Sequence, residues 1–142
     1  MKTVAQLLKT KAAGVVSIRS DATVTDAVRL LAEKRIGAIL VLDNGHLVGI
    51  VSERDLARKV ALAGKSPDKM LVSDIMTRQV LVVSPTHTNE ECMALMTDKR
   101  VRHLPVVEDN RVVGILSIGD LVKDIISEQQ FTIDELVKYI HR

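Results

Sequence analysis

The sequence predicts an α+β protein made of two copies of one strand–helix–strand–strand–helix unit. The first observation behind this is a repeat: residues 15–60 and 80–125 align at a constant shift of 65 positions, with no gap. Val15, Thr23, Leu30, Lys34, Arg35, Val41, Val48, Gly49, Ile50, Ser52, Asp55 and Leu56 recur as Val80, Thr88, Leu95, Lys99, Arg100, Val106, Val113, Gly114, Ile115, Ser117, Asp120 and Leu121. The second is that β-branched apolar runs alternate with stretches of helical periodicity in each copy. The third is composition: 46% of residues are hydrophobic and nearly all of these are aliphatic. A repeat this long that occurs only twice is too sparse for a solenoid and fits two units burying apolar faces against each other.

The elements follow in order. Val15 to Ile18 is an apolar, β-branched run and reads as a strand. Thr23 opens an amphipathic helix whose stripe is Val24, Ala27, Val28, Leu30 and Leu31. Residues 37–42 form a buried strand, Asp43-Asn44-Gly45-His46 a tight turn, and residues 46–51 the return strand. A second helix starts at Ser52 and runs to about Ala63. The second copy reads as a strand over Val80–Val83, a helix over Asn89–Lys99, a strand over Leu104–Val107, the Glu108–Arg111 turn, a strand over Val112–Leu116 and a helix from Ser117. A shorter echo precedes each unit: Val4-Ala5-Gln6-Leu7-Leu8-Lys9 against Val72-Ser73-Asp74-Ile75-Met76-Thr77, offset by 68, which leaves three extra residues near Lys11–Gly14. In the tail, Thr132 with Glu135 reads as a capping box flanked by Phe131 and Leu136 as a hydrophobic staple. Ile133, Leu136, Val137 and Ile140 form one face, docked on its own domain or on a second copy. The expected division is 1–63, a linker at 64–71, 72–126, and a C-terminal helix at 127–142.

Composition narrows function. The net charge is +2, with Lys and Arg interleaved with Asp and Glu, which gives no footprint for duplex DNA or an anionic membrane. One Phe and one Tyr leave no aromatic faces for stacking single-stranded bases. A single cysteine, Cys92, excludes an internal disulfide and suits a reducing compartment. The N-terminus lacks a signal peptide's apolar core and no uncharged stretch reaches bilayer length, so a cytoplasmic protein is expected.

The chemistry concentrates in Gly49-Ile50-Val51-Ser52-Glu53-Arg54-Asp55 and its twin Gly114-Ile115-Leu116-Ser117-Ile118-Gly119-Asp120. Each runs from a strand end into a helix start, where unpaired N–H groups and the helix dipole suit phosphate. The Asp three residues after the Ser can accept two hydrogen bonds from a cis-diol such as ribose, each contributing about 1.5–3 kcal/mol. Ser-x-x-Asp is also a plain helix cap.

These phrases, with Ile36-Gly37-Ala38-Ile39-Leu40-Val41, Val101-Arg102-His103-Leu104-Pro105-Val106-Val107 and the lead-in Val72–Thr77, resemble a tandem pair of CBS domains, the cystathionine-β-synthase-type repeat that assembles as a Bateman module. The resemblance covers about residues 1–126. It implies two repeats paired about a pseudo-twofold axis, with adenosine-containing ligands in two clefts between them. One cleft would combine Ser52, Arg54 and Asp55 with Thr77, Arg78, Val80, Leu81, Arg102 and His103. The other would combine Ser117, Gly119 and Asp120 with Lys11, Val15, Gly37, Ala38 and Ile39. The first is richer in cations, so the clefts are expected to differ in ligand or affinity.

Other chemistry finds no support in the chain. Gly64-Lys65-Ser66 lacks the first glycine of a P-loop, which would fall at Lys59. His46, His87, His103 and His141 show no zinc spacing, and Cys92 falls on a buried stripe without a base beside it. The reading is a non-enzymatic regulatory module without a catalytic cofactor. It would bind AMP, ADP or ATP, with NAD as a further candidate, and act as an energy or redox sensor on another protein in trans. A homodimer of modules is implied. Two alternatives remain: a dimerisation unit with vestigial clefts, and an enzyme acting on a nucleotide.

Overall fold

The structure, a computed structural model, describes residues 2–11 and 14–141. Of the three extra residues expected near Lys11–Gly14, Ala12 and Ala13 lie outside the described residues, as do Met1 and Arg142 at the ends.

The elements in chain order are α1 (Val4–Thr10), β1 (Ser17–Ile18), α2 (Val24–Lys34), β2 (Ala38–Asp43), β3 (His46–Ser52), α3 (Glu53–Asp55), a π-helical turn (Leu56–Val60), α4 (Ala61–Ala63), a 3₁₀ turn (Pro67–Lys69), α5 (Val72–Ile75), α6 (Asn89–Lys99), β4 (His103–Glu108), β5 (Arg111–Ser117) and α7 (Ile118–Ile140). The expected α+β repeat is present. Thr23 caps α2 and Thr88 caps α6, each accepting from the N–H three residues on. Both helices stop on an arginine in the left-handed region, Arg35 at φ 53° and Arg100 at φ 55°. Both hairpins turn through two residues of positive φ, Asn44-Gly45 and Asp109-Asn110, the geometry that matches strand twist.

The two sheets are unequal. In the first, β1 lies parallel to β2, which pairs antiparallel with β3. In the second, β4 and β5 pair antiparallel, and the strand expected over Val80–Val83 is reduced to a single bridge between Val83 and Val106. Proline explains the loss. In the first repeat Leu40 N–H donates to Val16 O at 3.3 Å. The equivalent position in the second is Pro105, which has no N–H to give.

The tail corrects the sequence expectation. Residues 118–140 are one uninterrupted helix, and Thr132 caps nothing: its hydroxyl donates to Glu128 O at 3.1 Å, one turn back. No proline interrupts this stretch and its single glycine, Gly119, sits in the first turn, so nothing ends the helix that Ser117 starts. The Phe131–Leu136 staple likewise has no N-terminus to flank.

Two apolar cores form, and the lead-in segments are exchanged between them. Val4 and Leu7 of α1 bury with Val83, Cys92, Met96, Leu104, Val106, Leu116 and Leu121, all from the second repeat. Met70, Val72, Ile75 and Met76 bury with Val24, Ala27, Leu31, Ile39, Val41 and Val51 of the first. Matched backbone bonds hold both docks: Val4 N–H to His87 O at 2.8 Å, and Val72 N–H to Ala22 O at 2.8 Å. Matched glycines admit them. A Cβ on Gly49 would lie 2.7 Å from Met76 Sδ, and one on Gly114 would lie 2.6 Å from Leu8 Cδ2. This exchange carries each lead-in loop to the strand–helix junction of the opposite repeat.

Candidate functional site

The first junction lies where β3 enters α3. Ser52 Oγ accepts from Asp55 N–H at 3.2 Å, while Asp55 Oδ2 accepts from Ser52 N–H at 2.9 Å. The second oxygen, Oδ1, accepts from the Thr77 hydroxyl at 3.1 Å and lies 3.2 Å from Lys59 Nζ. Thr77 is fixed there because its N–H and C=O pair with Ile50 on β3 at 2.9 and 3.0 Å. Lys59 also donates to Ile75 O at 2.8 Å, joining the helical turn to the exchanged lead-in. Both oxygens of Asp55 are therefore occupied by protein groups.

The second junction has the same cap and a different partner. Ser117 Oγ accepts from Asp120 N–H at 3.2 Å, and Asp120 Oδ2 accepts from Ser117 N–H at 2.8 Å. Lys11, carried over by α1, donates to the same Oδ2 at 2.9 Å and to Ile115 O at 2.6 Å. Asp120 Oδ1 has no hydrogen-bond partner among the described residues. The Asp120 side chain is 32% exposed, against 12% for Asp55. Burial alone would raise the Asp120 carboxyl, but the Ser117 backbone N–H and the Lys11 ammonium outweigh it and hold it below the usual carboxylate value. It is an ionised, reachable acceptor beside a cation.

The structure thus brings together Ser52, Asp55 and Thr77 at one junction, and Ser117, Asp120 and Lys11 at the other. His103 stands between them: a Cβ on Gly37 would lie 3.2 Å from His103 Nε2 and 3.5 Å from Glu53 Oε1. Burial, then the Lys11 charge, push the His103 imidazole below its usual value, against the opposing pull of Asp120 and Glu53. Its charged neighbours therefore come from both junctions.

The remaining expected residues vary in what they can offer. Arg54 and Arg102 line one groove, together with residues of α6 and the start of α7. Arg78 turns back to donate to Ser73 O at 3.1 Å, and Leu81 packs against the second core. Ile39 and Ala38 are buried, Ile39 within the first core, so only their backbone remains for a ligand. Val15 and Val80 are half-buried, and Gly119 sits open in the first turn of α7. Sequence reasoning passed over Lys59 and Glu53. The spacing of Lys59, one turn after Asp55, was the available signal.

Known proteins agree with this architecture. The model of the CBS domain family matches residues 4–62 and again 72–127. The chain belongs to the CBS domain family. A solved CBS domain structure is 51% identical, superimposes with a TM-score of 0.85, and is matched over 88% of this chain and 98% of that one. A mitochondrial CBS domain-containing protein of Arabidopsis thaliana is 38% identical over 126 residues, which are 85% of this chain. The chain spans 61% of that relative's length, and 24% and 23% of two further CBS domain-containing proteins of the same plant. A CBS domain pair solved in complex with 5′-methylthioadenosine and S-adenosyl-L-methionine shares the fold, with a TM-score of 0.80 at 24% identity over 90% of this chain and 98% of that one. Among the described residues no helix is long and apolar enough to cross a membrane, and no group of three or more His, Cys, Asp or Glu side chains could hold a metal ion.

Proposed function

We propose that this CBS pair is a regulatory module that binds adenine nucleotides in the clefts between its repeats. AMP, ADP and ATP are the expected ligands, with NAD as a further candidate, and the bound state reports energy or redox status to a partner protein in the cytoplasm. It does this without catalysing a reaction. The observation that carries the reading is Asp120. One oxygen serves the helix cap and the Lys11 ammonium, and the other is open beside them. A capping role and a ribose-binding role therefore use different oxygens of one carboxylate and coexist. Lys11 is placed to turn from Asp120 to a ligand's phosphate. The adenosine compounds held by the related CBS pair support the ligand class.

The clefts differ in readiness. At Asp55 a diol must displace the Thr77 hydroxyl and Lys59, whereas at Asp120 an acceptor is free. The cleft of Asp120 should fill first. A thermal melt against AMP, ADP, ATP and NAD at millimolar concentration tests the function. A ligand at about 1,000 times its Kd stabilises the folded chain by about 4 kcal/mol, so the midpoint should rise by several degrees. No rise with any of the four would favour the dimerisation reading, in which Ser-x-x-Asp is only a cap.

Assembly as a homodimer is part of the proposal, through α7. Val122, Ile126, Gln129, Ile133, Leu136 and Ile140 follow one another at alternating spacings of four and three, and five of the six are exposed apolar side chains. Lys123, Asp124, Glu128, Asp134, Glu135 and Lys138 all fall off that line. A second copy can meet it without opposing like charges, as in a coiled-coil seam.

A further inference from the structure

Arg54, Arg58, Arg100 and Arg102 line one groove of about 630 Å³, together with Met96, Thr97, Val101 and Ile118. Among the described residues no acidic side chain lines it. The arginines come from both repeats: Arg54 from α3, Arg58 from the π-helical turn, Arg100 from the end of α6 and Arg102 from the approach to β4. All four are exposed, and none of their guanidiniums makes an ion pair or hydrogen bond among the described residues. Arg54 and Arg58 are one helical turn apart, an arrangement of like charges that opposes helix formation.

The repeat supplies an internal control. The positions related to Arg54, Arg58, Arg100, Arg102 and Ile118 by the 65-residue shift are Gly119, Lys123, Arg35, Gly37 and Glu53. The scaffold therefore places two cations and one acid on its other side, where this side has four cations and no acid. The two sides share one scaffold and differ in charge, so the fold does not impose the four arginines.

We propose that this groove is an anion site for a chain of linked phosphates, with Arg58 and Arg100 extending it beyond the residues of the first cleft. Guanidinium is the side chain suited to bidentate phosphate recognition. A di- or triphosphate offers more oxygens to four guanidiniums than a single phosphate does. The chain of phosphates is either free or the tail of a nucleotide seated in the first cleft, and the second version rests on the function proposed above.

The test is calorimetric titration of the full chain with inorganic triphosphate, AMP and ATP, in the native protein and in the double variant Arg58→Gln/Arg100→Gln. Both positions are exposed, and neither side chain bonds to a Ser–Asp pair among the described residues. The site predicts that affinity for triphosphate, for ATP or for both falls at least tenfold in the variant while AMP binding is unchanged. Loss confined to triphosphate identifies a free oligophosphate, and loss for ATP identifies the nucleotide tail. If neither affinity moves, or AMP weakens by the same factor, the groove is not a phosphate site. The two proposals fail separately. AMP and ATP binding equally and indifferent to the variant would remove the groove and keep the clefts. Triphosphate binding without any adenine nucleotide would do the reverse.

Discussion

At the scale of single residues, the two serines do the same local work in different surroundings. Ser52→Ala and Ser117→Ala should each cost about 1 kcal/mol through loss of the cap, read as a lower denaturation midpoint. His103 gives a pH dependence. Its folded value lies below the ordinary 6.5, first through burial and then through Lys11. Below about pH 6.5 the unfolded chain therefore binds more protons than the folded one, and stability falls as pH drops from there toward the folded value. Urea midpoints between about pH 7.5 and 5.5 should show this decline, and His103→Gln should flatten it while leaving contributions of the other histidines in place. An unchanged slope would remove His103 from the account. The Ser-x-x-Asp pairs were legible in the sequence because a cap is a pattern four residues long. Lys11 on Ile115 O was not legible as a contact, since 104 residues separate the partners and only the fold brings them together. Arg58 and Arg100 look like ordinary surface charges until the two repeats are set side by side.

At the scale of elements, helix and hairpin signals read correctly where a local residue enforces them. Thr23, Thr88 and the Asn44-Gly45 turn are of this kind. The strand over Val80–Val83 failed for a non-local reason, because the missing hydrogen bond belongs to Pro105 on its neighbour. The Thr132 cap failed because a capping residue must leave the helix, and nothing between Gly119 and Ile140 makes the chain do so. The exchanged lead-ins give a comparison between equivalent glycines. Gly49→Ala brings its Cβ to 3.0 Å from Thr77 O as well as against Met76, whereas Gly114→Ala meets only the Leu8 side chain. Overpacking costs about 1–3 kcal/mol, and Gly49→Ala should lie at the upper end and Gly114→Ala at the lower, because backbone yields less than a leucine tip. In α7, Ile133→Asp/Leu136→Asp places charges on both sides of a symmetric seam. Light scattering after gel filtration should report a dimer for the native chain, as proposed, and a monomer for the variant. A native monomer, or a dimer indifferent to the change, would direct attention away from this helix.

At the scale of the molecule, the exchange of lead-ins packs the two repeats into one unit. The sequence displayed the echo of Val4–Lys9 in Val72–Thr77 but not which core each joins, because both segments carry a similar apolar pattern. Cys92, buried in the second core with its thiol pushed up by burial, reports on the arrangement. Leu7→Ala should cost about 2–4 kcal/mol and speed the labelling of Cys92 by a thiol reagent, and Ile75→Ala, in the first core, should disturb it less. In the proposed function a ligand would act on the same unit, because each Ser–Asp junction meets a loop delivered by the other repeat. A ligand can shift such a system only by its differential affinity for the available states. The most direct measurement is calorimetric titration of the adenine nucleotide that raises the melting midpoint most, into the native chain and into Asp120→Asn, which retains a capping oxygen and loses the charge. A hydrogen bond to a charged group contributes about 1.5–3 kcal/mol, so affinity should fall at least tenfold with the fold intact by circular dichroism. Equal affinity and stoichiometry in the two proteins would contradict the role assigned to that carboxylate.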